Sequence, residues 1–121
     1  MDRNELEKYN VGENLDALMT LDPRGYGVCR ILYAGSRART GSPLTMAAAE
    51  ALCGELEEND PVFILTGFVL LPHKVPEMDG MVSSMLLCRA LVLAFNAKPI
   101  IICPEDSLEA IEKCANVVGL H

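Results

Sequence analysis

The sequence predicts an α/β fold: a Rossmann-like parallel sheet with flanking helices, built on a βαβα core preceded by helices, and incomplete as it stands. Three observations carry that prediction. Two short apolar runs, Val62 to Leu65 and Ile100 to Cys103, are rich in β-branched side chains and end abruptly, as strands leaving a sheet do. A long apolar stretch of helical pattern lies between them, which is the crossover that parallel strands require. A plain amphipathic pattern follows the second run, completing the βαβα order of a doubly wound sheet with right-handed crossovers. Two strands alone are too few for an independently stable sheet, hence the expected incompleteness.

Before the first strand the chain is helical in pattern. Asn10 to Leu21 carries Val11, Leu15, Leu18 and Met19 at helical spacing, and Asp22-Pro23-Arg24-Gly25 breaks it. Tyr26 to Gly35 repeats the spacing at Val28, Cys29, Leu32 and Tyr33, so a second short helix is expected, although Ile31-Leu32-Tyr33 alone also fits a strand. Ser36 to Gly41 is a polar, basic connection. Ser42-Pro43 then starts a third helix, because Ser can cap the free N–H groups and Pro at the first helical position loses no needed donor. Its face is Leu44, Ala48, Ala51, Leu52 and Leu56, running to about Glu57.

Asn59-Asp60-Pro61 closes that helix, and the first strand ends at Thr66-Gly67. A loop with Pro72, His73, Lys74, Pro76, Glu77 and Asp79 follows, turning helical at Asp79-Gly80. Met81 to Phe95 is apolar at nearly every position, broken only by Ser83, Ser84 and Arg89. A surface helix shows a polar stripe over about half its circumference, so cover on more than one side is expected here, from a partner chain or from elements this chain lacks. Asn96-Ala97-Lys98-Pro99 leads into the second strand. Asp106 and Glu109 have capping-box spacing, and Leu108, Ile111, Ala115 and Val118 mark a last helix ending at Gly119.

Composition narrows the function. The 121 residues fit one domain, 1–121, and uncharged runs such as Gly80 to Cys88 fall short of the roughly 20 residues that cross a bilayer. The polar start, MDRNELEKYN, is no secretory signal, so a soluble protein is expected. A net charge of −7 argues against nucleic acid and anionic membrane as partners. Five scattered cysteines, with no CxxC or Cys/His cluster, suit reduced thiols in the cytoplasm or another reducing compartment. No G-x-G-x-x-G follows either strand, so a dinucleotide fingerprint is lacking. The apolar helix and the unfinished sheet point to a homo-oligomer.

In an open α/β sheet, ligands bind beyond the carboxyl ends of the strands, against the N-terminus of the next helix. Strand end, polar loop and helix start at Val62 to Gly80 therefore form one candidate site. Thr66 and Gly67 either let a ligand approach backbone N–H groups or simply end the strand. Asp79 and Glu77 either serve a ligand or cap the helix and complement its dipole. His73 and Lys74 read as solvated surface, Cys88 as core, and Arg89 as the partner of a carboxylate elsewhere.

Thr66-Gly67-Phe68, Glu77-Met78-Asp79-Gly80 and Leu87-Cys88-Arg89-Ala90-Leu91 resemble the opening of the C-terminal domain of the D-glutamate cyclase family. The likeness extends weakly to Asp22-Pro23-Arg24-Gly25, to the Ala-rich helix at Ala47 to Leu52 and to the Ile100 strand, covering most of this chain but about the first half of that domain. The resemblance implies an enzyme interconverting D-glutamate and 5-oxo-D-proline, with a small carboxylate as substrate. It further implies Glu77 and Asp79 as catalytic carboxylates and Thr66, Gly67, Phe68 and Gly80 as substrate-binding. If Glu77 and Asp79 lie two apart on an extended segment, both carboxylates point one way, as acid and base or as holders of a divalent cation. Two places depart from the family: Val69 stands where a proline is usual, and Met81-Val82-Ser83-Ser84 replaces a proline with small residues, restricting how closely an anion can approach. The alternatives are a non-catalytic carboxylate- or phosphate-binding module, or an oligomerising interaction fragment.

Overall fold

The computed structural model describes residues 1–120, which divide into two compact units, Met1–Glu55 and the chain from Leu56 onward.

The first unit is three helices. α1 (Arg3–Met19) starts well before Asn10, because Asp2 and Glu5 form a reciprocal capping box: the Glu5 N–H donates to Asp2 Oδ1 at 2.8 Å and the Asp2 N–H to Glu5 Oε2 at 2.7 Å. α2 (Val28–Thr40) runs straight through the stretch expected to be a polar connection and stops at Gly41, whose φ of +76° closes it in the left-handed region. No residue of α2 is fully buried, so this extension rests on local propensity together with the bonds from Arg37 to Glu13 and Tyr9 of α1.

α3 (Leu44–Glu55) is capped from another helix. Asp16, near the end of α1 and only 2% exposed, accepts from the Leu44 N–H at 2.7 Å, the Thr45 N–H at 2.9 Å and Thr45 Oγ1 at 2.7 Å. The Tyr33 hydroxyl of α2 donates to the same carboxylate at 3.0 Å, so one side chain ties the three helices together. Burial alone would raise the Asp16 carboxyl, but the bonds from Thr45, Leu44 and Tyr33 outweigh it and lower it from 3.8 to about 2. Arg37 completes the cluster: it bonds Glu13 and the Tyr9 hydroxyl, stacks 5.5 Å from the Tyr9 ring centroid, and holds Nη1 3.9 Å from Asp16 Oδ2. α1 and α3 approach closely at Gly12, where a β-carbon would stand 2.7 Å from Pro43 Cβ.

The second unit is α/β. β1 (Pro61–Leu65) leads into a small antiparallel hairpin, β2 (Val69–Leu70) with β3 (Val75–Pro76). α4 (Met78–Phe95) crosses over to β4 (Lys98–Ile102), and α5 (Glu105–Val117) follows. β1 and β4 pair in parallel, in register from Pro61 opposite Lys98 to Leu65 opposite Ile102. Bonds from the Lys98 N–H to the Asp60 carbonyl (2.8 Å) and from the Thr66 N–H to the Ile102 carbonyl (3.0 Å) extend the ladder at either end. The expected parallel pair and flanking helices are therefore present, and the α/β sheet is indeed small.

One face of that pair is covered. Ile64 and Ile101 pack on Met81, Met85 and Cys88 of α4 and Ile111 of α5. The strands alternate as pleated strands must, so Phe63, Leu65, Ile100 and Ile102 occupy the other face and are exposed. The buried residues of α4, Met81, Ser84, Met85, Cys88 and Leu91, form a single stripe, leaving Val82, Leu86, Leu87 and Leu93 exposed. This chain thus covers α4 on one side only. The helix runs past both ends of the Gly80 to Cys88 run, and at 18 residues with mean hydropathy 1.6 it is long and apolar enough to cross a membrane by length and composition. Its buried stripe is that of a helix packed on a sheet.

Two local expectations for α5 and α4 are corrected. The Asp106/Glu109 box does not form: Pro104 is the N-cap, and Glu109 instead accepts from Lys113 Nζ at 2.6 Å one turn on. Among the described residues, Arg89 pairs with no carboxylate. It donates to the Val118 carbonyl at the C-terminal end of α5, where a cation suits the free carbonyls.

Candidate active site

The carboxyl ends of β1 and β4 are where the chain brings its predicted site residues together. Once Thr66 has made its ladder bond, Gly67 turns the chain with φ +98°. Only glycine fits there: a β-carbon would lie 2.7 Å from Pro104 Cδ, 3.2 Å from Ser107 Oγ and 3.3 Å from Cys103 Cβ. The end of β1 is thereby pressed against the start of α5. Gly80 plays the matching part for α4, because Thr66 Oγ1 stands 3.2 Å from where a Gly80 β-carbon would be. The hairpin then returns the chain, and the Glu77 N–H donates to the Phe68 carbonyl at 2.8 Å. Thr66 is thus set beside Gly80, and Phe68 beside Glu77.

The two carboxylates are arranged differently from expectation. α4 begins at Met78, two residues earlier than the pattern suggested, so Asp79 already lies in its first turn while Glu77 remains extended at φ −72°, ψ 126°. Residues two apart at a helix start do not share a face as they would on a strand, and the side chains diverge. Glu77 is the N-cap residue but makes no capping bond with its side chain. Asp79 Oδ1 accepts from the Gly80 N–H at 2.6 Å and leaves its second oxygen to solvent. Ser83 Oγ to the Asp79 carbonyl (2.6 Å) and Ser84 Oγ to the Gly80 carbonyl (2.5 Å) brace the same turn.

His73 and Lys74 sit at the exposed turn of the hairpin, Lys74 with φ +50°. Among the described residues no three His, Cys, Asp or Glu side chains converge to hold a metal ion. Cys88 is buried in the α4 core, which pushes its thiol up and away from nucleophilic use.

Two residues near function or stability carry no signal in the local pattern. Ser107, in the first turn of α5, is fully buried, and its hydroxyl has no hydrogen-bond partner. Leaving a buried hydroxyl unsatisfied costs about 1–3 kcal/mol, so the group calls for an explanation. In the first unit, Asp16 lies at one end of an apolar groove of about 440 Å³ between the helices, beside Leu32, Tyr33, Leu44 and Ala48. Both of its oxygens are already committed to Leu44, Thr45 and Tyr33, so Asp16 itself offers a ligand no free anchor there.

The geometry agrees with the comparison to known proteins. A family model described as D-glutamate cyclase-like, C-terminal, matches residues 15–121, leaving out only the first part of α1. No curated protein and no solved structure shows a match. The matched span holds the parallel pair, the Thr66–Phe68 crossing, the Glu77–Gly80 helix start and α5, and the chain belongs to the D-glutamate cyclase-like C-terminal domain family.

Proposed function

We propose that the chain is a hydro-lyase interconverting D-glutamate and 5-oxo-D-proline, working at the carboxyl end of β1 and β4. The observation that supports this most is the family match over both units, with the residues of the T-G-F and E-x-D-G segments meeting in space at Thr66/Gly80 and Phe68/Glu77. Ring closure joins the amine nitrogen to the γ-carboxyl carbon, and one γ-oxygen leaves as water with two protons given up by the ammonium group. The reverse reaction adds that water back. One carboxylate is needed to take a proton from nitrogen and one acid to deliver a proton to the departing oxygen. Glu77 and Asp79 fill these roles on either side of the α4 start. A divalent cation, if the reaction uses one, would be held by the same two carboxylates with water and substrate oxygens, and would supply neutralisation of the γ-carboxylate.

The test is formation of 5-oxo-D-proline from D-glutamate, followed by NMR, for the chain and for Asp79→Asn, each with and without divalent metal. Asp79 lies in the first turn and not at the N-cap, so Asn there loses only the interaction of its charge with the helix dipole, about 0.3–1 kcal/mol, and the variant should fold and lose turnover. Turnover by Asp79→Asn equal to the unsubstituted chain would reduce Asp79 to a helix-start residue. No turnover and no binding in either protein would refute the enzyme.

A second reading, an oligomerising surface, is favoured by the exposed Phe63, Leu65, Ile100 and Ile102 on the open sheet face. A homo-oligomer in a reducing compartment would cover them. The two readings are compatible, since the candidate site lies at the strand ends and not on that face.

A further inference from the structure

Within the second unit the fully buried Ser107 hydroxyl is the side-chain group whose bonding is unexplained by the fold. Its direction is informative. Ser107 Oγ lies 3.2 Å from the point that a β-carbon on residue 67 would occupy, so it faces the bare side of Gly67 in the Thr66–Phe68 crossing. Among the described residues, the N–H groups of Gly67 and Phe68 also have no acceptor. The first turn of α5, a 13-residue helix, adds free N–H groups and the positive end of its dipole. The acids of that turn, Glu105 and Asp106, are exposed and leave its buried side to Ser107.

We propose that Ser107, with the backbone N–H groups of the α5 first turn and of Gly67–Phe68, receives the α-carboxylate of the substrate. This rests on the function proposed above and deepens it. The α-carboxylate is the group that persists unchanged in D-glutamate and in 5-oxo-D-proline, so a fixed anchor serves both directions of the reaction. Anchored at α5, the substrate extends its γ-carboxyl toward the α4 start, where Glu77 and Asp79 stand. Ser107 becomes reachable when the crossing lifts from α5. Lifting gives up the packing of Gly67 on Pro104 and Ser107, while the hairpin beyond it has strands of only two residues each and Phe68 itself is 71% exposed.

The experiment is calorimetric titration of 5-oxo-D-proline, and of 2-pyrrolidinone as the same lactam without the carboxylate, into the chain and into Ser107→Ala. A hydrogen bond to a charged group corresponds to roughly 10- to 100-fold in affinity. Ser107→Ala should therefore bind 5-oxo-D-proline at least about tenfold more weakly, bind 2-pyrrolidinone as before, and melt no lower than the unsubstituted chain, since the orphan hydroxyl is gone. Equal affinity for 5-oxo-D-proline in both proteins overturns the role of Ser107 and leaves the function standing. A parallel loss of melting temperature and of both ligands marks a structural serine and overturns it too. Absence of binding by the unsubstituted chain overturns the site and the function together. Amide shifts provide the check that needs no variant: 5-oxo-D-proline should move Gly67, Phe68 and Ser107, and shifts confined to other residues refute the anchor.

Discussion

Removing the Asp16 carboxylate should unfold the helical unit while leaving the α/β unit in place. The magnitude follows from what the carboxylate accepts. Asp16→Ala removes four bonds at once, from the Leu44 and Thr45 N–H groups, the Tyr33 hydroxyl and Thr45 Oγ1, of which only Thr45 Oγ1 keeps another acceptor, the Gly12 carbonyl at 3.2 Å. Bonds to a charged acceptor are worth about 1.5–3 kcal/mol each, but four bonds to one carboxylate do not add. The loss also leaves Arg37 Nη1, buried and without a hydrogen bond, lacking the negative charge 3.9 Å away. Breaking such a buried cluster from one side costs about 3–5 kcal/mol, comparable with the whole stability of a small domain. Asp16→Asn keeps one acceptor oxygen and turns an NH₂ toward donors, so about half that loss is expected. Tyrosine fluorescence reads the effect selectively, because the chain has no tryptophan and its three tyrosines, Tyr9, Tyr26 and Tyr33, all lie in the first unit. The pH dependence gives a second handle. The folded carboxyl is lowered to about 2 from 3.8, so its stabilisation is complete above the ordinary value and is lost as pH falls toward the folded one. That difference amounts to about 2 kcal/mol, lost between roughly pH 5 and pH 2. Urea midpoints for Asp16→Asn equal to those of the unsubstituted chain at pH 7, or a gap between the two that fails to narrow in acid, would refute the account.

Three further outcomes are expected. Gly67→Ala places a β-carbon 2.7 Å from a proline ring carbon that cannot swing away, at φ +98°, and should cost the second unit about 2–4 kcal/mol by calorimetry; an unchanged melt would contradict the crossing geometry. Thiol labelling of the folded chain should modify exposed Cys29 and Cys53 first and Cys88 only on unfolding, where burial no longer pushes its thiol up; simultaneous reaction of all three would show that the α4 core is open. For the open sheet face, sedimentation should find association at micromolar concentration that Leu65→Lys with Ile102→Lys abolishes, and a monomeric parent chain would remove the second reading.

Much of this architecture is legible in the residues, for reasons that also explain the rest. Val62–Leu65 and Ile100–Cys103 are visible because they are apolar and β-branched on both faces, although this chain covers only the Ile64/Ile101 face, and the α4 stretch because it is too long and too apolar to be anything but a helix. α2 past Gly35 was hidden because an exposed helix has no apolar period to display; only Arg and Ala propensity and the Gly41 stop betray it. The β2–β3 hairpin escapes since two-residue strands cannot show alternation. Within the candidate site, Thr66, Gly67, Glu77, Asp79 and Gly80 are marked by strand end and helix start and Phe68 by the family resemblance, and the early beginning of α4 changes how Glu77 and Asp79 face. Asp16 and Ser107 were invisible for a different reason. Asp16 answers to Leu44 and Thr45, 28 and 29 positions away, and Ser107 to Gly67 across two strands, so neither belongs to any local pattern.

The ladder between β1 and β4 also fixes which groups the two outer edges of the sheet present. Lys98 turns its N–H toward β1, so its neighbour Pro99 presents its nitrogen to the outer edge of β4, where it has no hydrogen to give. A strand laid along that edge would find an unanswered carbonyl near its start, which is why proline is confined to the margins of sheets. Pro61 leaves the same gap at the start of the outer edge of β1, beyond which Phe63 and Leu65 carry their N–H groups on that side. Both outer edges therefore lack one donor near their start, and a strand added to either would draw its N–H bonds from the residues beyond the proline, Phe63 and Leu65 on β1 or Ile101 on β4.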